Sequence, residues 1–168
     1  METAAKVFTY DTLKVGEVFV SPGRTITEAD HGLFTMLSGD WHPIHCDEEY
    51  AKTTPLGRRL VHGTLGITLA LGSLQAGLLV SSDPLVAALG IKDWKYKAPI
   101  FVGDTIFVDY RIAELRDSKS NPSQAIAVFD VEIVNQDGMV VQRGRKAVLL
   151  SKEPLSAVAA SRSPVPQR

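Results

Sequence analysis

Asp40, His42, His45 and Asp47 are side chains that can exchange protons, and all of them lie within eight consecutive residues. Pro43 stands between the two histidines. Because proline fixes its own φ and disfavours helical backbone at the preceding residue, we predict that the group lies in a loop and not along one helix. Histidine titrates near neutral pH, and a carboxylate with reduced solvation can act as a base. The pattern therefore indicates acid–base chemistry.

Two less specific interpretations of this stretch stay open on the residues alone. Asp40 can cap a helix, with His42 exposed to solvent and His45 a hydrogen-bonded polar group. Alternatively, the spacing Asp-x-His-x-x-His-x-Asp can hold Zn²⁺ or iron, because imidazole and carboxylate groups ligate both metals. Pro43 makes the metal interpretation the weaker one, and we expect no metal here.

Composition and charge narrow the class of protein. The chain has 168 residues, of which 45% are hydrophobic and 22% charged, as is typical of one soluble domain. A net charge of −1 and a pI of about 6.4 predict no nucleic-acid partner and no anionic membrane surface. The single cysteine, Cys46, cannot form an internal disulfide, and no apolar run reaches membrane-spanning length, so we expect a cytoplasmic protein. Cys46 itself is predicted to be a small buried side chain.

The helix that must position Asp40 has recognisable ends. Thr27 has the position of an N-cap, since Glu28 and Asp30 follow in the first turn, where the helix dipole favours negative charge. Gly39 is a typical helix stop. The predicted helix therefore delivers Asp40 directly into the motif loop.

Two further helical segments follow the motif. Residues 47–52 have the composition of a short capped turn, with Tyr50 and Ala51 available to pack inward. Residues 62–79 are apolar nearly all round, so a helix here must be buried. Glycine weakens an isolated helix, so we expect the surrounding sheet to compensate by close approach at three glycines: Gly66, Gly72 and Gly77.

Strand patterns fill most of the remaining chain, and Asp137-Gly138 favours a tight hairpin between the last two long ones. The predicted strands cover residues 18–21, 24–26, 85–89, 91–97, 105–115, 124–134 and 139–150. Successive hairpins imply an antiparallel sheet with helices against one face, which is the α+β class. We therefore predict a lead-in over residues 1–17, one domain over 18–150, and a disordered tail over 151–168, which is rich in Ser, Ala and Pro.

Three segments resemble the motifs of the MaoC-like dehydratase family, which includes the (R)-specific enoyl-CoA hydratases. They are SGDWHPIHCD at 38–47, GRRLVHG at 57–63 and APIFVGDT at 98–105. The family pattern runs G-D-x-N-P-x-H-x-D, followed by V-H-G at the start of a long helix. The resemblance covers roughly residues 18–150 and has one departure, His42 in place of the usual Asn. It implies a hot-dog fold, in which an antiparallel sheet wraps around a buried helix, and a homodimer or a dimer of dimers.

The resemblance also implies an activity, the hydration of a trans-2-enoyl-CoA or the reverse dehydration of a (R)-3-hydroxyacyl-CoA. Asp40 and His45 would be the catalytic pair, and the backbone N–H of Gly63 would stabilise the thioester oxygen. The CoA thioester is the substrate, and no cofactor is expected. His42 would act as a hydrogen-bonding loop residue, and with Pro43 it belongs to the expected substrate-binding group.

That substrate-binding group also contains His62, at the helix entrance, together with Arg58 and Arg59. Both arginines are candidates for the CoA phosphates, because charge-assisted contacts suit phosphate; the other candidates are Lys92, Lys95 and Lys97. Two different functions remain as alternatives. One is a hot-dog acyl-CoA thioesterase, and the other is a protein that binds acyl thioesters without catalysis.

Overall fold

The computed structural model describes residues 10–74, apart from the side chain of Leu74, and residues 85–153. A short 3-10 turn covers Tyr10–Thr12. The strands and helices that follow are β1 (Val18–Val20), β2 (Arg24–Thr25), α1 (Glu28–Ser38), α2 (Pro43–Cys46), α3 (Glu48–Lys52), α4 (Gly63–Leu74), β3 (Leu85–Tyr96), β4 (Thr105–Asp117), β5 (Gln124–Asn135) and β6 (Val140–Ser151). The predicted end of the long helix at 75–79 and most of the predicted tail lie outside the described residues. Ser151, which we assigned to the tail, instead ends β6.

One antiparallel sheet in the order β1-β4-β5-β6-β3 forms the frame, and β2 pairs with β4 as well. Side chains alternate strictly along β5, so that Phe129, Val131 and Ile133 are buried while Asp130 and Glu132 face the outer side. Helix α4 lies against the inner side, where the Tyr110 hydroxyl meets α4 at the Ala70 carbonyl and the Ser73 hydroxyl. This α+β arrangement is the predicted hot-dog fold.

The strand at the β3 edge departs from the prediction in one respect. The segments predicted at 85–89 and 91–97 form one continuous strand. Its register against β6 shifts around Gly90, whose φ is 156°, and around Asp93, whose φ is 55°. These irregularities are β-bulges, which absorb an extra residue without ending the strand. The glycine that we took as a break is therefore a bulge position.

Helix α4 is buried on one side only, so the prediction of an all-round buried helix was wrong for the described part. Thr64, Thr68 and Gly72 are exposed, at a spacing of four residues, because the sheet covers only the opposite side of the helix. Close approach to the sheet is confirmed at Gly66, where an added Cβ would lie 2.5 Å from the Gln142 amide nitrogen. At Gly72 an added Cβ would meet nothing within 4 Å, so that expectation was wrong.

The motif segment is more helical than we predicted. Pro43 begins the one-turn helix α2, and proline is well suited to a first helical turn because no partner is needed there for its missing N–H. His45 therefore lies on a helix and not in a loop. Tyr50 and Cys46 were expected to be buried, but both are exposed, whereas Ala51 of α3 is fully buried as predicted. None of the described helices combines the length and apolar character needed to cross a membrane.

Candidate active site

Helix α1 ends directly before Asp40, and both of its ends are fixed by caps. A capping box starts the helix, since the Thr27 hydroxyl accepts a hydrogen bond from the Asp30 amide and the Asp30 carboxylate accepts one from the Thr27 amide. Gly39 ends it in the left-handed region with φ 72°, which glycine adopts without strain. Both predicted ends are confirmed, and they fix the point at which Asp40 leaves the helix.

The predicted pair does come together. His45 Nε2 lies 3.7 Å from Asp40 Oδ2, with the imidazole side chain 12% exposed and the carboxylate side chain 52% exposed. Nδ1 of His45 lies 2.6 Å from the Leu60 carbonyl oxygen, which can only accept a hydrogen bond. Nδ1 therefore carries the proton in the neutral ring, and the lone pair of Nε2 faces the carboxylate. The 3.7 Å gap is too long for a direct hydrogen bond and suits a bridging water.

The environment of His45 favours the neutral imidazole. Burial lowers the pKa of His45 from its ordinary value of 6.5, and the neighbouring His62 lowers it further, while the Leu60 carbonyl and the Asp40 carboxylate act in the opposite direction. The ring is therefore uncharged at neutral pH. An uncharged ring with a free Nε2 lone pair can accept a proton from water.

His62 and Gly63 form the entrance to α4. The His62 side chain is only 1% exposed, its Nε2 donates to the Asp40 carbonyl at 3.0 Å, and its ring stacks on His45 at 3.9 Å between centroids. Gly63 is the first residue of α4, so its N–H has no partner within the helix. A Cβ at this position would lie 2.6 Å from the Tyr96 ring, so that the glycine lets backbone and ring approach closely.

A cavity of about 520 Å³ unites these groups, a volume in the usual range for small-molecule sites. Asp40, His45, His62 and Gly63 all lie on its wall. The rest of the lining is mostly apolar, with three polar side chains besides the Tyr96 phenol, and consists of Leu56, Leu60, Val61, Thr64, Tyr96, Lys97, Ala98, Pro99, Ile100 and Gln142. A carboxylate, an imidazole and a helix N-terminus thus face one partly apolar space.

His42 and Pro43 are not part of this lining. His42 is the N-cap of α2, and its Nδ1 accepts a hydrogen bond from the Ile44 amide at 3.2 Å. Asparagine is among the preferred N-cap residues, so the imidazole does here what the family's usual side chain can do. The structure therefore gives His42 the hydrogen-bonding role that we expected, but places its ring outside the cavity.

The two arginines also lie outside the cavity lining. Arg59 forms ion pairs with Glu28 at 2.8 Å and Glu48 at 3.0 Å, so it ties α1 to α3, and these bonds raise its pKa. Arg58 donates to the Val102 carbonyl and stacks on the Phe101 ring at 4.5 Å. The contacts of Arg59 are those of a structural residue and count against a phosphate-binding role.

Among the predicted lysines, Lys97 lies on the cavity wall. Lys95 instead lines a charged groove with Asp109 and Arg143, on the outer side of the sheet. The five phosphate candidates are thus not brought to one place, and among them Lys97 alone lines the cavity with Asp40 and His45.

Sequence reasoning missed two polar residues of the site. Gln142 on β6 donates to the Gly63 carbonyl at 3.1 Å and accepts from the Trp94 indole at 3.0 Å, so it anchors the start of α4. His31 on α1 is 2% exposed, and its ring centroid lies 5.1 Å from that of His62. His31 lies three residues before the half-buried Phe34 on the same helix, and this spacing was a signal that His31 is buried. The residues next to Gln142 in sequence gave no signal for the partners of Gln142.

The ligand set Asp-x-His-x-x-His-x-Asp is not one cluster. Asp47 caps α3 through the Tyr50 amide, and the His42 ring caps α2, so both are occupied by local hydrogen bonds. Instead, the described residues bring one ring nitrogen from each of His31, His45 and His62 within 4.8 Å of one another.

A hot-dog sheet around one helix, with a carboxylate and an imidazole at the helix N-terminus, is the arrangement that the resemblance to the MaoC-like family implied. The family model of the MaoC like domain matches residues 12–132. The (R)-specific enoyl-CoA hydratase of Aeromonas caviae is 32% identical over 123 residues, which are 73% of this chain and 84% of that protein.

Solved structures agree with that match. The monoamine oxidase regulatory protein from Archaeoglobus superimposes with a TM-score of 0.80 at 30% identity, covering 88% of this chain and 96% of that one. The MaoC-like dehydratase from Rhodospirillum rubrum gives 0.74 at 26% identity, covering 88% and 99%. The chain belongs to the MaoC-like domain family, and it is an enzyme of the hydratase and dehydratase class.

Proposed function

We propose that this protein adds water to the C2–C3 double bond of a trans-2-enoyl-CoA, giving a (R)-3-hydroxyacyl-CoA, and catalyses the reverse dehydration. One observation carries the proposal: Asp40 Oδ2 and His45 Nε2 lie 3.7 Å apart on the wall of the cavity that also contains the N-terminus of α4. Water, base and enolate stabilisation are thus available at one place. No cofactor takes part, because the CoA thioester is itself the substrate.

The proposed reaction needs one proton removed from water and one delivered to the substrate. Asp40 and His45 hold a water between them, and its oxygen forms a bond to C3 as the pair takes up a proton. The electron pair of the double bond moves towards the thioester carbonyl. Asp40 and His45 then return a proton to C2. The elements of water are thereby added, and the protein returns to its starting state.

Negative charge develops on the thioester oxygen during this addition, and Gly63 is positioned to stabilise it. Its N–H is free of intrahelical bonds, and the α4 dipole favours an anion at that end. One such donor is typically worth about 3–4 kcal/mol in acyl chemistry. The Gln142 bond to the Gly63 carbonyl holds this peptide unit in place.

Substrate binding is divided between apolar and charged groups. Leu56, Leu60, Val61 and Ile100 give the cavity an apolar wall that suits an acyl chain or a pantetheine arm. Lys97 on the same wall is the cation that we assign to a CoA phosphate. Acyl-CoA is the proposed partner, and β3, at one edge of the sheet, is the proposed contact between two copies of the chain.

A matched pair of isosteric variants tests the proposal. Asp40→Asn removes the carboxylate of the pair, whereas Asp47→Asn makes the same change at a helix cap where Asn is also favoured. With a panel of trans-2-enoyl-CoA substrates we expect Asp40→Asn to lose hydration about 10²–10⁴-fold and Asp47→Asn to retain it. Wild-type turnover by a folded Asp40→Asn variant contradicts the mechanism.

The same assays separate the alternative functions. Release of free CoA thiol from saturated acyl-CoA, without hydration of any enoyl-CoA, would identify a thioesterase. Tight acyl-CoA binding without turnover of either substrate would identify a non-catalytic binding protein. We expect hydration of the enoyl-CoA without release of free CoA thiol.

A further inference from the structure

Three of the four histidines of the chain lie close together, and one of them is His45 of the proposed catalytic pair. His31 lies on α1, His45 on α2 and His62 just before α4. One ring nitrogen from each lies within 4.8 Å of the other two. The proposed reaction uses only His45, so the presence of two more imidazoles needs a separate explanation.

Three of the six ring nitrogens of this cluster have no hydrogen-bond partner within the described part of the protein. Both ring nitrogens of His31 and Nδ1 of His62 are buried without a hydrogen-bond partner there. Leaving such groups unpaired destabilises the folded protein, and buried nitrogens without a partner often mark a bound ion or a functional role. A cation that takes up the lone pairs of His62 Nδ1 and of one His31 nitrogen would give both atoms a partner.

The remaining hydrogen bonds set the rings up as metal ligands. The Leu60 carbonyl takes the Nδ1 proton of His45, and the Asp40 carbonyl takes the Nε2 proton of His62. Each ring therefore keeps its other nitrogen as a lone pair. Metal-binding histidines in proteins typically donate their second N–H to a carbonyl or carboxylate in this way.

We propose that His31, His45 and His62 form a binding site for a divalent transition-metal cation, with Zn²⁺ as the best match. Three imidazoles and one further ligand are a common zinc set, and Asp40 Oδ2, which lies 3.7 Å from His45 Nε2, supplies the fourth position. The nitrogen ligands of tetrahedral zinc lie about 3.4 Å apart. The ring nitrogens here lie within 4.8 Å of one another, so each pair must approach by at most about 1.4 Å to bind the metal. Since His45 and His62 are stacked, one of these rings must also rotate, and the unbonded His31 ring can follow.

Occupation of this site has a consequence for catalysis, and this second part rests on the proposed function. A metal on His45 Nε2 and Asp40 takes both groups away from the water that they activate. The cation is then an inhibitor, and it reaches the cluster through the cavity, whose wall includes Asp40, His45 and His62. Removing the metal restores the pair.

Cobalt(II) binding to the full chain tests the site without reference to activity, because tetrahedral Co²⁺ has intense visible absorption. We expect wild type to bind one equivalent, confirmed by zinc calorimetry. His31→Leu should weaken binding by at least about tenfold, since even the loss of a group that only supports a metal ligand costs that much. His31→Cys should restore one equivalent and add the near-ultraviolet band of a thiolate–cobalt bond.

Two control variants exclude other metal ligands on the same surface. His42→Asn removes the one histidine outside the cluster, and Cys46→Ser removes the exposed thiol; neither should change cobalt affinity. Absence of a tight equivalent in wild type overturns the site. Binding by His31→Leu at wild-type affinity, with the fold confirmed by circular dichroism, overturns it as well.

Zinc inhibition of enoyl-CoA hydration is the second readout, compared in each protein with and without the metal. The zinc concentration that halves the hydration rate of wild type should leave the rate of His31→Leu unchanged. A chelator should reverse the inhibition of wild type. If neither protein hydrates an enoyl-CoA, the proposed function has failed, and cobalt binding still decides the metal site. If cobalt binds as described but zinc does not inhibit, the metal does not engage His45, which overturns the three-histidine site.

Discussion

Asp40 and His45 occupy different environments although only 3.7 Å separates their side-chain atoms. The carboxylate is half exposed, whereas the imidazole is nearly enclosed and its burial lowers its pKa, which favours the neutral ring. The Leu60 carbonyl fixes which ring nitrogen carries the proton. At the scale of single residues, this difference in surroundings is what allows a pair of common side chains to handle one water.

The pH dependence of the reaction follows from the state of His45. The proposed mechanism needs the neutral ring, and burial lowers its pKa below 6.5, so kcat/KM should stay constant above pH 6.5 and fall only at lower pH. His62 also lowers the pKa of His45, whereas Asp40 raises it, and both effects shift the acid limb of the pH–rate profile accordingly. The measurement is a pH–rate profile with a short enoyl-CoA.

His42→Asn is the control for that profile, because His42 caps α2 outside the cavity. His42 makes the smallest contribution to lowering the pKa of His45, so the acid limb of His42→Asn should lie at or slightly above that of wild type. An acid limb at or above pH 6.5 in wild type would contradict the environment that we assign to His45. A large fall in kcat/KM of the control above pH 6.5 would show that His42 takes part in catalysis.

Local motifs predicted Asp40, His45 and Gly63, because their roles depend on the turn and the helix start that lie beside them in sequence. His31 and Gln142 were missed for the opposite reason. His31 reaches the site from the middle of α1, and Gln142 reaches it from β6, 79 residues after Gly63. Only the folded chain brings such distant residues together, so no local pattern indicates them.

At the scale of elements, the position of α4 depends on close contact with β6. Gly66 lies directly over Gln142, whose side chain also binds Trp94 and the Gly63 carbonyl. A larger residue at position 66 therefore disturbs a buried amide and, through it, the peptide that we assign to enolate stabilisation. The absence of a side chain at Gly66 positions the helix entrance.

A matched pair of glycine variants tests this contact. Gly66→Ala should lower the free energy of unfolding by about 1–3 kcal/mol, because the new Cβ would lie 2.5 Å from the Gln142 amide nitrogen. Gly72→Ala, in the same helix with open space around it, should raise stability by about 0.5–1 kcal/mol through helix propensity alone. Urea unfolding measures both, and equal effects of the two substitutions would exclude the packing argument.

The predicted elements were correct where local signals were clear, namely the caps of α1 and the strand patterns of the three long strands β4, β5 and β6. The predictions failed where one residue type is compatible with two different local structures. Gly90 ends a strand or forms a bulge, and Pro43 breaks a helix or begins one. Such choices depend on the neighbouring strand or helix, which the local sequence does not contain.

At the scale of the whole molecule, two features point to a second copy of the chain. Strand β3 ends the sheet order, so one of its edges has no neighbouring strand within the described part. The strand also exposes large apolar side chains, namely Val86, Leu89, Ile91 and Tyr96. An open apolar edge is a site for pairing with another strand, and a homodimer through β3 is the arrangement that we propose.

Solution size measurements test the proposed dimer. Wild type should sediment as a dimer. Ile91→Lys should weaken association by on the order of tenfold or more, because the lost burial of one isoleucine corresponds to about 1.5–3 kcal/mol. Leu37→Lys, an equally drastic change at an exposed position of α1, is the control and should remain dimeric. A monomeric wild type would contradict the β3 interface.

The most direct test of the account is a double-mutant cycle on hydration of a short trans-2-enoyl-CoA, using Asp40→Asn, His45→Ala and the combined variant. If both side chains act on one water, each single change should lower kcat/KM by about 10²–10⁴-fold. The double change should lower it no further, because either loss disables the same unit. Wild-type rates in a folded single variant, or losses that multiply in the double variant, would contradict it.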